Sequence, residues 1–470
     1  MATTLVLIQL AIVLAMIFTG ARVGGIGLGI YGMIGVLILV FGFGMHPGKV
    51  PIDVMLIIVS VITATAALQA AGGLDYLVTL AARFLRKHPE QITYYGPLTT
   101  WLFCLLAGTA HTCYSLLPII SEIARKNKIR PERPITVATI SASLGITGSP
   151  MSAATAAIIS ADILGGKGIE LKDVLLICIP SSFIAILVAS FVQNRVGKEL
   201  EQDPEYQRRL KAGLLEEESR GYEGTEVRGD ENTEESREGN LAPSSSRTPA
   251  SSNEKYARRA VLAFLLGVVL VVLFGSIPSL RPSFNVDGEL TRLTMPETIE
   301  IIMMSIAALI LIVGKADVKK AVSGNIFGAG MNAMVSIFGI AWMGDTFFNG
   351  NLEFFRSHIA DIVTQYPFLF SVALFIMSIM LFSQAATVRT LYPLGIGLGI
   401  NPLALTAMFP AVNGYFFFPN YPTEVAAINF DTTGTTRIGK YVVNHSFQLS
   451  GFITTIVSIA VGYLIITFLY

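Results

Sequence analysis

Four short stretches of this 470-residue chain place polar, helix-breaking residues inside apolar surroundings. They are Gly108-Thr109-Ala110-His111-Thr112, Thr147-Gly148-Ser149-Pro150, Ser383-Gln384-Ala385-Ala386-Thr387 and Phe418-Pro419-Asn420-Tyr421-Pro422. Each break starts a new helix, and a helix N-terminus offers free N–H groups and about half a positive charge, which favours anions. Pro150 and Pro422 suit the first helical position, where a missing N–H costs nothing. Ser149 and Asn420 or Tyr421 stand at or near the cap. Thr109, Thr112, Thr147, Ser149, Ser383, Gln384, Thr387, Asn420 and Thr423 add short donors. Two opposed sets of such ends suit a small molecule with a carboxylate at each end. A single Ser, Thr or Gly in an apolar helix most often serves packing; four coincident breaks are harder to explain that way.

Three ionisable residues stand close to these breaks. Arg389 lies in an otherwise apolar arm, and a charge at membrane depth is by default functional. Its guanidinium matches a carboxylate with paired donors, although snorkelling or pairing with a buried acid would also explain it. Glu424, two residues after Pro422, is read as its ion-pair partner or as a proton carrier. His111 could carry a proton near neutral pH, against the commoner structural histidine. Asp345 reads as an interfacial cap. Residues 431–440, Gly/Thr-rich but without the spacing of a phosphate loop, read as a structured loop.

The elements that must hold these residues are membrane spans. Hydrophobic residues make up 52% of the chain and charged ones only 14%, where a soluble domain carries about 25% charged. The charge is balanced, 33 Lys+Arg against 33 Asp+Glu, so no basic field argues for a nucleic-acid partner. Cys104, Cys113 and Cys178 form neither a disulfide framework nor a metal set. No cofactor and no metal is expected. Residues 195–259 hold 12 Lys/Arg and 15 Asp/Glu and read as a hydrophilic linker whose middle is disordered or loosely helical. The apolar start, Met1 to Gly20, lacks the basic region of a signal peptide and reads as the first span.

A span needs roughly 20 apolar residues. Residues 3–20, 24–44, 52–72, 173–193, 259–278, 297–314, 321–347 and 448–469 qualify. Residues 94–124 and 367–399 are broken into arms too short to cross, as in hairpins that dip in and return. Residues 135–163 and 403–430 are spans broken midway. The separation of Gly108 from Pro118 equals that of Ser383 from Pro393, so the two halves repeat one order: three spans, hairpin, broken span, span. Interrupted segments at matching positions of two halves point to a transporter's binding site. The fold class is therefore an all-α polytopic membrane protein with about ten transmembrane helices, two of them discontinuous, and two re-entrant hairpins in two inverted repeats, 1–194 and 259–470, joined by a cytoplasmic linker, 195–258. The basic segments 83–92 and 125–134, the linker, Lys315, Lys319, Lys320, Arg437 and Lys440 fall on one side, the cytoplasmic one by the positive-inside rule, which leaves both termini outside.

At these breaks the sequence resembles the anaerobic four-carbon dicarboxylate transporters, the Dcu family. The likeness rests on Gly108-Thr109-Ala110-His111, Ile129-Arg130-Pro131-Glu132-Arg133-Pro134, Ser149-Pro150, the 383–387 run and Asp431-Thr432-Thr433-Gly434-Thr435-Thr436-Arg437-Ile438-Gly439, with Gly24-Gly25-Ile26-Gly27 and Gly72-Gly73-Leu74-Asp75-Tyr76-Leu77 in support. It covers nearly the whole chain except about 215–255. Ala110 stands where the family's pattern has glycine, and Gly148 where it has alanine. His111 and the Arg-Pro-Glu-Arg-Pro run lean toward the fumarate–succinate exchange branch. The resemblance implies antiport of fumarate, succinate, malate or aspartate across a bacterial inner membrane in anaerobic respiration. It also implies an elevator-like alternating-access movement. Carriers with paired hairpins are often dimers, and a homodimer is expected on that ground alone. Cation- or proton-coupled dicarboxylate uptake is the nearest rival. A membrane enzyme would need a nucleophile–base pair, and His111 with Cys113 point to different helix faces. A channel lacks its ring of pore charges.

Overall fold

The computed structural model describes residues 2–23, 25–215, 251–286, 289–418, 421–439 and 444–470. The first half runs α1 (Ala2–Val23), α2 (Gly27–Leu37, continued by a π turn over Ile38–Gly42), α3 (Ile52–Ala70), α4 (Gly73–Lys87), α5 (Ile92–Ala107), a 3-10 turn Ala110–Ser115, α6 (Leu117–Lys126), α7 (Glu132–Thr147), α8 (Ala153–Ile159) and α9 (Leu171–Gln193). A short α10 (Pro204–Lys211) follows. The second half runs α11 (Ser251–Ser276), α12 (Met295–Gly314), α13 (Val318–Ser323), α14 (Asn325–Gly350), α15 (Leu352–Gln365), α16 (Leu369–Leu381), α17 (Gln384–Gly397), α18 (Pro402–Ala407) with a 3-10 stretch Phe409–Phe417, α19 (Pro422–Phe430) and α20 (Phe447–Leu469). A two-stranded antiparallel ribbon, β1 (Ser283–Val286) with β2 (Glu289–Arg292), sits between α11 and α12. Among the described residues, seven helices are long and apolar enough to cross a bilayer. The α2 segment and the two broken pairs complete the ten.

Both hairpins return to the side they left. Arg86, at the end of α4, lies 3.9 Å from Glu122 near the end of α6, so the approach to α5 and the exit from α6 share one level. In the second half a methyl on Gly395, near the end of α17, would lie 3.0 Å from the Phe370 ring at the start of α16. The two amphipathic helices that lead into the hairpins, α4 and α15, escape a reading based on apolar runs. The first carries Asp75, Arg83, Arg86 and Lys87 opposite buried Ala81, Ala82 and Leu85. Too polar to be a span, it shows only as a 3.6-residue period. The expected span at 321–347 also divides, into α13 and α14, at an extended Gly324.

The helices pack as two bodies. One gathers α1, α2, α3, α11, α12 and α14; the other gathers α5 to α9 with α16 to α20. Within the first body the halves meet backbone to backbone, because glycine faces glycine. A methyl on Gly32 would lie 2.5 Å from the Gly339 carbonyl carbon, and one on Gly339 would overlap Gly29. The bodies touch each other chiefly along α14 and α17, where Gly344 receives Thr390.

The first part of the polar linker is docked on the second body. Arg130, 4% exposed, reaches Glu132 and Asp203, each at 2.5 Å. Arg133 bonds Glu199 and the Gly197 carbonyl, and Arg209 bonds the Thr432 carbonyl. The expected disorder of the linker's middle falls on 216–250, outside the described residues, and α11 runs Ser251–Ser276, ahead of the 259 expected. Burial would raise the Asp203 carboxyl, but the Tyr206 N–H and the Arg130 guanidinium outweigh it and hold it below its ordinary range. A depressed carboxylate stabilises the fold above its unfolded-state pKa, and that contribution is lost as pH falls through the folded value. Trypsin cleavage after Arg208 and Arg209 should therefore be slow at neutral pH. Asp203→Asn should speed it severalfold at pH 7; an unchanged rate would show that the bond does not hold this segment down.

Candidate functional site

Both hairpins turn by one backbone recipe. The α5 helix ends on Gly108 in the left-handed region (φ 68°), followed by extended Thr109, whose side chain caps the next turn by accepting from the His111 N–H. The α16 helix ends on Phe382, also left-handed (φ 49°), followed by extended Ser383, which accepts from the Ala386 N–H. A left-handed phenylalanine is uncommon and marks a constrained turn. The repeat thus aligns Thr109 with Ser383, one residue off the Gly108–Ser383 pairing that equal spacing suggests. At Gly108 a side chain is excluded twice, by φ and by the Met151 carbonyl oxygen, 2.6 Å from where Cβ would sit.

The two broken spans restart differently. Pro422 is the first residue of α19, as its ring favours. Pro150 is not the first residue of α8. The chain makes one more turn, Ser149 accepts from the Met151 N–H, and Ser152 is the cap, accepting from the Thr155 N–H. A hydroxyl three residues before a free N–H competes better for the cap than the earlier proline does.

These ends converge on one cavity of about 370 Å³. Gly108, Thr109, Ala110 and His111 line it from the first break, and Ala153 and Ala154 from the start of α8. Phe382, Ser383, Gln384 and Ala385 line it from the third break, and Tyr421 and Pro422 from the fourth. The opposite wall belongs to the other body: Gly20, Gly25 and Leu28 around α1 and α2, and Ala329, Asn332, Ala333 and Ser336 from α14. A smaller cavity of about 110 Å³ adjoins it along α3 and shares Gly108, Thr109 and His111. Phe382, Tyr415 and Tyr421 form an aromatic corner, with the Tyr415 and Tyr421 rings 4.4 Å apart.

Of the residues expected at the site, Gly108, Thr109, His111, Ser383, Gln384 and Pro422 line the cavity. The others do not. Thr112, Thr147 and Thr387 return their hydroxyls to Thr109, Leu144 and Ser383 carbonyls and are local ties. Ser149, Pro150 and Thr423 are packed behind the wall, and Asn420 lies outside the described residues. Gln384 was expected to offer a donor. Its Nε2 is instead spent on the Ser143 carbonyl at 2.8 Å and on Asn413 Oδ1. Arg389, 5% exposed, pairs not with Glu424 but with Asp162 at 2.8 Å, with a further bond to Ser160. That bond ties the second hairpin to the turn after α8 and leaves the guanidinium already matched. Glu424 has no exposure, and among the described residues neither of its carboxylate oxygens has a hydrogen-bond partner. Asp345 is a tie rather than a helix cap, accepting from the Lys49 N–H at 2.6 Å. Asn332, Ser336 and Tyr415 are lining residues that reading the breaks missed, and Tyr421, read only as a residue at or near a cap, lines the cavity as well. Asn332 had a signal of its own, a carboxamide in the middle of an apolar helix.

Ten spans, two returning hairpins, and a cavity walled by helix ends on one body and by α1, α2 and α14 on the other define a membrane transporter. More narrowly, the chain belongs to the anaerobic C4-dicarboxylate membrane transporter family, whose match covers residues 5–470. It is 38% identical to the C4-dicarboxylate transporter DcuA of Escherichia coli (strain K12), over 99% of this chain and 100% of that one. It is 36% identical to the DcuA of Wolinella succinogenes, over 97% of this chain and 98% of that one. It is 38% identical to the anaerobic C4-dicarboxylate transporter DcuB of Escherichia coli O6:H1, over 97% of each chain. A solved structure, the Alcanivorax borkumensis YdaH transporter, is similar at a TM-score of 0.48 and 14% identity, over 88% of this chain and 85% of that one.

Proposed function

We propose that this protein binds a C4-dicarboxylate in the cavity between its two bodies and exchanges fumarate for succinate across the inner membrane by alternating access. The observation that carries this reading is that all four interrupted segments, two from each half, reach one cavity, three through residues of the break itself and the second through Ala153 and Ala154 at the start of α8. A carboxylate there meets the Thr109 and Ser383 hydroxyls and the first-turn N–H groups of α17, a helix long enough to contribute its dipole. The body that holds the breaks would be the moving part, sliding on α14 along the smooth contact between Gly344 and Thr390. An empty site leaves those donors unpaired, so the loaded form crosses more readily, and exchange dominates.

The order of elements supports reading 1–194 and 259–470 as inverted repeats about the 195–258 linker, since an odd number of spans precedes the linker. The basic loops gather at one end: Lys128 pairs with Glu201, Arg133 with Glu199, and Lys315 lies over the Tyr256 ring. On this reading that end is the cytoplasmic one, by the positive-inside rule, and both termini are periplasmic. A homodimer belongs to the same reading.

Counterflow in proteoliposomes tests the function. Labelled fumarate should enter vesicles preloaded with succinate and not vesicles preloaded with buffer or citrate. Equal entry into all three would refute exchange.

A further inference from the structure

The helix-end donors all lie on one body and cover one side of a bound molecule. A dicarboxylate has a second carboxylate, and the wall in front of it belongs to α1, α2 and α14. Among the described residues that wall carries two polar side chains. Ser336 already donates its hydroxyl to the Gly25 carbonyl at 3.2 Å. Asn332 is exposed to the cavity, and among the described residues its carboxamide makes no hydrogen bond. An amide in the middle of an apolar membrane helix is costly unless water or a ligand meets it. Asn332 is also off-centre. It is the eighth residue of α14, about 10 Å from the helix start at 1.5 Å per residue. On the orientation proposed above that start is cytoplasmic. Gly20, near the inner end of α1 on that orientation, lines the cavity too. About 18 Å farther out along α14, Gly344 receives Thr390 of the other body and closes the seam. On that reading the cavity faces the cytoplasm in this structure. The α14 face that lines it continues outward, at helical spacing, as Ile340, Met343, Gly344 and Phe347, without a polar side chain.

We propose that Asn332 is the stationary body's substrate-binding residue, whose carboxamide N–H donates to the second carboxylate in the inward-facing state alone. The inference rests on the reading of the cavity as a C4-dicarboxylate site with its inner end cytoplasmic. When the other body moves outward, the bound molecule leaves Asn332 for a stretch of α14 that offers no donor. The site therefore holds a dicarboxylate more tightly facing the cytoplasm than facing the periplasm. Asn332 also sets the preference for two carboxylates on that side. Butyrate, a four-carbon monocarboxylate, has only one to present and gains nothing from it.

The test compares the two faces of the full-length protein. Inverted membrane vesicles present the cytoplasmic face to labelled succinate, and right-side-out vesicles the periplasmic one. Asn332→Ala and Asn332→Leu both remove the donor, the second at nearly unchanged size. In each, half-saturating succinate should rise about tenfold at the cytoplasmic face and at most about twofold at the periplasmic face, a hydrogen bond to a charged group being lost on one side only. Asn332→Ser, which keeps a shorter donor, should recover part of the loss. Butyrate should inhibit wild type and variants alike at the cytoplasmic face. Unchanged half-saturation at both faces, or an equal rise at both, overturns the proposal. A rise confined to the periplasmic face overturns its assignment of sides. Absence of succinate exchange in the wild type would instead overturn the reading of the cavity.

Discussion

Gly108→Val should reduce fumarate–succinate counterflow by roughly a hundredfold while the protein still reaches the membrane and elutes as one species. Two costs act at the same point. A β-branched residue in the left-handed region costs about 1–2 kcal/mol or more, and its Cβ would press on the Met151 carbonyl oxygen at 2.6 Å. The turn must then open, and it carries Thr109 and His111 into the cavity. A displacement of about 1 Å in a binding group commonly costs on the order of a hundredfold in rate. Gly108→Ala should fall between wild type and valine. Full counterflow in Gly108→Val would show that the first hairpin tip does not shape the site.

The second large effect is expected at Arg389. Arg389→Ala leaves Asp162 without its partner in a place where the arginine is 5% and the aspartate 25% exposed. Breaking a fully buried pair costs about 3–5 kcal/mol; the partial exposure of Asp162 brings the expected loss to about 2–3 kcal/mol. The pair fixes α17, whose first turn lines the cavity, to the turn after α8, whose first turn lines it too. Counterflow should therefore fall at least tenfold, and thermal unfolding in detergent should move several degrees lower. Adding Asp162→Ala should recover part of the stability, because no acid is then stranded, but little of the transport. A double variant no more stable than Arg389→Ala would contradict the structural half of this account. Arg389 acts here by positioning other residues, since the carboxylate it meets is the protein's own.

What could be read in the sequence followed from local rules. The breaks at 108–112 and 383–387 were legible because glycine, threonine and serine at helix ends obey capping chemistry that depends on neighbours in the chain. Pro422 as a first helical residue is the same kind of rule. The spans were legible because a bilayer demands a minimum apolar length. The misreadings have the opposite character. The partner of Arg389 is Asp162, in the other half of the chain, and nothing near Arg389 in sequence announces it. Glu424 looked like that partner because it too sits beside a break; packing places the two apart. Pro150 looked like a helix start because proline often is one, but Ser152 supplies a better cap three residues before the Thr155 N–H. Gln384 looked like a donor until Ser143 and Asn413 claimed its nitrogen. The α4 and α15 helices were hidden by their own charge. The scaffold wall, Asn332 and Ser336, was hidden because lining a cavity from a continuous helix leaves no break to find.

The central claim is that four interrupted segments hold one dicarboxylate between two bodies. A structure of the protein in lipid nanodiscs with saturating succinate tests it most directly. The account predicts density for one succinate in the cavity between the two bodies, with a carboxylate within hydrogen-bond distance of Ser383 or the first-turn N–H groups of α17 and in reach of Thr109. Succinate bound elsewhere, with this cavity unchanged and empty of it, would contradict the claim.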